Sequence, residues 1–152
     1  MPPNPYFDHN DRPAVDLEVS NPLDWKRPVT ALIDTGFDGF LSLPILQAFP
    51  IGLLLAGAMS ITLADGSSHS KLYCFGDIRF DNEKHNGTIM IENSGEIALV
   101  GMQFLRTFSR RLVVDPINRA VLLNKVVAMS YGLSLPPSDA SLTCSLLAPR
   151  GA

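Results

Sequence analysis

The chain has 152 residues, a length that suits one domain with a real core and is too short for two lobes. Hydrophobic residues make up 46% and charged residues 18%, the balance of a soluble globular protein. A net charge of −3 with no Lys/Arg run speaks against a nucleic-acid surface, and no apolar run approaches the roughly 18–20 residues of a membrane-spanning helix. The first residues have neither the basic start nor the apolar core of a secretory signal. Cys74 and Cys144 are too few and too far apart for a disulfide framework or a zinc site. A reducing cytoplasm is the expected compartment, with both thiols structural or idle.

Residues 1–13 carry four prolines and little apolar pattern, so a flexible arm is expected there. Ala14 to Val19 alternates as a half-buried strand does, and Ser20 to Pro28 reads as a hairpin loop in which Trp25 is a packing lid or a partner contact. Val29 to Ile33 is the next strand and Phe40 to Leu43 the one after. Pro44 suits a first helical turn, which predicts a short helix to Phe49, ended by Pro50. Ser60 to Leu63 and Lys71 to Phe75 flank Ala64-Asp65-Gly66-Ser67-Ser68, a strong hairpin signal.

Asp77 to Phe80 and Thr88 to Glu92 read as strands around an exposed polar turn at Asp81 to Gly87. The short apolar run Ile97 to Val100 ends at Gly101. Met102 to Phe108 places Phe104, Leu105 and Phe108 on one helical face. Arg111 to Asp115 and Arg119 to Leu123 form a last hairpin around Pro116-Ile117-Asn118. Residues 125–152 read as a C-terminal extension, rich in Ser, Pro and Ala from Ser134 and partly disordered. Many short strands at roughly 8–12-residue spacing indicate an all-β, closed or nearly closed barrel.

Chemistry concentrates at Val29 to Pro44, where an apolar strand runs into Asp34-Thr35-Gly36 and a second apolar run leaves it. A carboxylate at the end of a buried strand is costly unless something hydrogen-bonds it or shares its proton. An isolated Asp-Thr-Gly is equally the mark of a turn aspartate satisfying backbone amides. Asn93-Ser94-Gly95 is a weaker, decayed version of the same string. His9, His69 and His85 have no metal-ligand spacing and read as solvated surface residues, so no metal or cofactor is expected.

Leu32-Ile33-Asp34-Thr35-Gly36, the Asp65-Gly66 hairpin and Leu99-Val100-Gly101 before a short helix follow one another in an order that resembles the retropepsin-like aspartic proteases, the single-lobe relatives of pepsin. The resemblance covers roughly Ala14 to Leu123 and implies a domain over 14–124, a retropepsin-like closed β-barrel with one or two short helices. It implies an aspartic endopeptidase acting as a homodimer on peptide or protein substrates, with Asp34 paired to its symmetry mate. Thr35 would brace the loop across the interface, and Gly36 would leave its backbone open to substrate. Asp38 aligns with an acidic position that binds substrate backbone, and Phe37 could line a pocket, narrow the cleft or pack away. Ala64, Asp65, Gly66 and Ser67 would form the tip of a closing flap, with Leu99, Val100 and Gly101 supporting the catalytic loop.

Two departures stand out. Phe37 occupies a position that is usually small, and Met102 follows Gly101 where viral members often carry an Arg. They keep open an alternative, a retropepsin-like module that dimerises or grips peptides without cutting them. A weaker third reading, a monomeric barrel for a small ligand, leaves the Asp-Thr-Gly turn unexplained.

Overall fold

A computed structural model describes residues 4–127. In chain order these form strands β1 (Tyr6–Phe7), β2 (Pro13–Ser20), β3 (Lys26–Ile33) and β4 (Leu41–Pro44), then helix α1 (Ile45–Ala48). Strands β5 (Leu55–Thr62), β6 (Ser68–Phe80), β7 (Glu83–Glu92) and β8 (Ala98–Val100) follow. Helix α2 (Met102–Thr107) and strands β9 (Arg110–Asp115) and β10 (Ala120–Lys125) complete the described chain. The expectations for residues 128–152, Cys144 among them, lie outside the described residues. Among those described, no helix is long and apolar enough to cross a membrane.

The main sheet runs β1-β2-β3-β8-β4-β7-β6-β5, and a further pairing of β2 with β6 closes β2, β3, β8, β4, β7 and β6 into a six-stranded barrel. Period-two burial explains the closure: Val15, Leu17 and Val19 of β2 point inward, as do Cys74, Ile78 and Phe80 of β6. Strand β8 lies between β3 and β4, parallel to the first and antiparallel to the second. The chain leaving β3 therefore crosses the end of β8 before it returns as β4. That crossing carries Asp34.

Four rings, Phe40, Phe80, Phe104 and Phe108, fill one end of the barrel, with Phe104 and Phe108 centred 4.7 Å apart. Burying each such ring contributes about 2 kcal/mol, so α2 is fastened by its apolar face more than by its six-residue length. The hairpin β9–β10 forms a separate two-stranded sheet. Arg110 anchors it: the buried guanidinium meets Asp81 at 2.9 Å and Glu83 at 2.7 Å and lies over the Phe80 ring.

Several expectations are corrected. The flexible arm predicted for residues 1–13 is, over residues 4–13, tied down: β1 pairs with β2, and the Asn4 side chain bonds the Asp16 backbone in both directions. Few apolar residues are needed for this, because side-chain hydrogen bonds hold the segment. The turn predicted at Asp81 to Gly87 shrinks to Asp81 and Asn82, and the two strands on its N-terminal side are one long β6. Asp81 and Asn82 supply positive φ and so turn the chain in two residues.

Pro50 does not end the first helix but sits inside a 3-10 turn, Phe49–Ile51, that Gly52 terminates at φ 69°. His85 is only partly solvated: it lies half-buried on β7, with one edge against Phe108 at 4.6 Å and Glu83 3.6 Å away. Trp25 keeps 64% of its surface exposed and covers Gly52 with one edge only. Cys74 is free and buried, and burial pushes its thiol up to about 11, consistent with an inert structural residue.

Candidate active site

The Asp34 turn is built by main-chain bonds to β8 and α2. The Asp34 amide donates to the Val100 carbonyl at 2.9 Å, extending the β3–β8 ladder by one residue. Asp34 Oδ1 accepts the Gly36 amide at 2.9 Å, and the Phe37 amide donates to the Asp34 carbonyl at 3.2 Å, which closes the turn. The start of α2 then locks it. The Met102 amide donates to the Phe37 carbonyl at 2.8 Å, and the Gln103 amide is shared between the Asp38 and Gly39 carbonyls at 3.2 Å each. Amides left free at a helix start are thus used to hold the loop.

This gives Val100 and Gly101 their role. Gly101 is in an ordinary extended conformation, so conformational freedom is not the reason for it. A Cβ there would lie 2.5 Å from the Gly39 carbonyl oxygen and closer still to that of Phe37. Only a glycine admits the loop at that distance.

Asp34, Thr35 and Gly36 are exposed, which differs from the buried carboxylate expected at a strand end. The strand itself is buried to Ile33, but the crossing over β8 lifts the next residue clear of the barrel. One carboxylate oxygen is bonded to the Gly36 amide; within the single chain no second carboxylate is bonded to it among the described residues.

Gly36, Phe37, Asp38 and Gly39 form one wall of a cleft of about 380 Å³, with Ile61 to Ala64 from the β5–β6 hairpin opposite and Met90 of β7 between. Of the predicted hairpin-tip residues only Ala64 lines this cleft. Asp65, Gly66 and Ser67 form the turn itself: Asp65 accepts the Ser67 amide at 2.8 Å and its hydroxyl at 2.6 Å, and Gly66 has φ 83°. Those two bonds, the hydroxyl first, hold the Asp65 carboxyl below its usual range.

Neither Asp34 nor Thr35 lines this cleft, which begins at Gly36; Thr35 borders a mostly apolar groove formed with Met102, Leu105, Leu112 and Val126. A larger open groove of about 520 Å³ lies along the outer face of β3, lined by Arg12, Arg27, Thr30, Gln47 and Glu96 but by none of the predicted site residues. Among the described residues no three His, Cys, Asp or Glu side chains converge to hold a metal ion.

Sequence reasoning missed Ile61, Leu63 and Met90 as cleft walls and Gln103 as a loop brace. The first two are the apolar residues of the strand and turn that precede the hairpin tip, a signal present in the alternation. Met90 and Gln103 carry no such signal, since their roles follow from how β7 and α2 pack.

The architecture is the retropepsin-like fold. No protein-family model matches the sequence, and comparison with curated proteins gives no match. Among solved structures, a retropepsin-like aspartic protease from Rickettsia conorii superposes with a TM-score of 0.57 at 16% identity, covering 82% of this chain and 90% of that one. EIAV protease, complexed with the inhibitor HBY-793, superposes with a TM-score of 0.55 at 16% identity, covering 70% of this chain and 97% of that one.

Proposed function

We propose that the chain is an aspartic endopeptidase that works as a homodimer, with Asp34 of each copy supplying half of a catalytic pair. The observation that carries this reading is the braced, exposed Asp34 turn beside an open cleft lined in part by a hairpin, on a retropepsin-like barrel. A single carboxylate is a poor amide hydrolase, because the reaction needs a base for the attacking water and an acid for the carbonyl oxygen. Two carboxylates a few ångströms apart cannot both ionise, so they share one proton and do both jobs. The ionised member takes the water proton as the oxygen attacks, and the protonated member gives its proton to the carbonyl oxygen. The newly protonated carboxyl then gives its proton to the amine nitrogen, while the other carboxylate takes one from a hydroxyl of the tetrahedral intermediate. The C–N bond breaks, the carbonyl re-forms and the pair again holds one proton. Thr35, exposed next to Asp34, would bond across the two-fold axis, while Asp38 and the hairpin tip would hold the peptide backbone.

A second reading, a dimeric module that binds peptides without cutting them, draws on the Phe37 ring beside the site. Incubating the purified protein with a denatured protein pool from acid to neutral pH, next to Asp34→Asn, separates the two. Cleavage by the wild type and none by the variant is expected. Identical products from both, or none at any pH, would end the peptidase reading.

A further inference from the structure

Phe37 brings a large ring to the Asp34 turn, and that ring has a built seat. A Cβ on Gly39 would lie 2.7 Å from Phe37 Cε2, and one on Gly101 would lie 2.6 Å from Phe37 Cδ1. The ring therefore rests in contact with both glycines, half-buried, with its remaining surface forming part of the cleft wall beside Asp34. Its main chain is fixed at both ends, the amide to the Asp34 carbonyl and the carbonyl to the Met102 amide. A side chain so anchored cannot swing aside to admit a ligand without breaking that packing.

We propose that Phe37 sets the size of the substrate side chain accepted beside Asp34. This rests on the cleft being a peptide-binding site, the part common to both readings above. The ring fills the space over Gly39 and Gly101 that a small residue would leave open. What remains is an open cleft of about 380 Å³ whose apolar lining includes Phe37, Ile61, Leu63 and Met90. The ring narrows it on one side, so the position against the ring favours a small apolar side chain over an aromatic one. Truncating the ring opens that space against two glycines, and the preference shifts towards large side chains. Gly39 is part of the same device, because any larger residue there would displace the ring.

The test uses a random peptide library with the full-length wild type, Phe37→Ala and Phe37→Leu. Cleaved peptides are identified by mass spectrometry, and peptides retained by the Asp34→Asn form of each are identified in the same way. The ratio of aromatic to small side chains at the selected position should rise about tenfold or more in Phe37→Ala, with Phe37→Leu between. A double-mutant cycle supplies a readout independent of peptides: Gly39→Ala should lower Tm in the wild type and lose most of that effect in Phe37→Ala. An unchanged ratio in both Phe37 variants overturns the proposal, as does an equal Gly39→Ala effect in both backgrounds. Failure of the peptidase reading looks different: nothing is cleaved, yet the ratio among retained peptides still follows residue 37. Retention of no peptide by any form overturns the proposal together with the peptide-binding site.

Discussion

Gly101 is fixed by distance. Its φ of −117° is open to any residue, and the constraint comes from two carbonyl oxygens of the Asp34 loop that occupy the place a Cβ would take. Gly101→Ala must push that loop off α2, breaking the Met102–Phe37 and Gln103–Asp38 bonds that hold it. The expected cost is about 3 kcal/mol by chemical denaturation, typical of overpacking against backbone that cannot yield. Activity should fall by more than stability accounts for, since the displaced element carries the carboxylate. A stable, fully active Gly101→Ala would show that the loop is held by other means. The importance of this glycine was legible in the sequence as the end of an apolar run before a helix, but its reason was not. Nothing in Leu99-Val100-Gly101 says that the residues it must admit are Phe37 and Gly39, more than sixty positions earlier.

Strands were the readable part of the fold, because inward and outward residues alternate along β2, β3 and β7 and turn residues punctuate them. Misreadings fell where side-chain bonds replace apolar pattern, above all in residues 4–13. There Arg12 donates two bonds to the Asp8 carboxylate, at 3.0 and 2.8 Å, and Asp8 also accepts the Asn10 and Arg12 amides. The guanidinium is the main cause that lowers the Asp8 pKa from 3.8 to about 2. A carboxyl whose folded pKa lies below its unfolded value adds stability that is whole above the unfolded pKa and is lost as pH falls through the folded one. Anchoring of this segment should therefore be intact above pH 3.8 and disappear on approach to pH 2, a window below any moderately acidic working range. Amide exchange of Asn10 and Arg12 followed by NMR checks it. Protection that vanishes across that interval, and is already weak in Asp8→Asn at about pH 5, is the expected result. Protection that ignores pH in the wild type would mean that Asn4 and β1 hold the segment without Asp8.

At the scale of the whole molecule the proposed chemistry asks for more than one chain contains. Asp34 is exposed, its braces come from its own protomer, and no second carboxylate is bonded to it among the described residues. If activity needs two copies, each active site draws one Asp34 from each, and a copy carrying the Asp34→Asn substitution is a poison as well as a dead enzyme. Mixing wild type with a ninefold excess of Asp34→Asn, after allowing subunits to exchange, leaves most wild-type chains paired with a variant. Activity per wild-type chain should then drop to about a tenth, since only wild-type homodimers keep both carboxylates. Dilution of the wild type alone should lower specific activity in the same sense, because dissociation removes the pair. A protein whose activity per wild-type chain is untouched by the excess variant cuts with one chain. Its second acid or base would then have to come from within the protomer, where Asp38, exposed on the same loop and lining the adjacent cleft, is the nearest carboxylate in sequence.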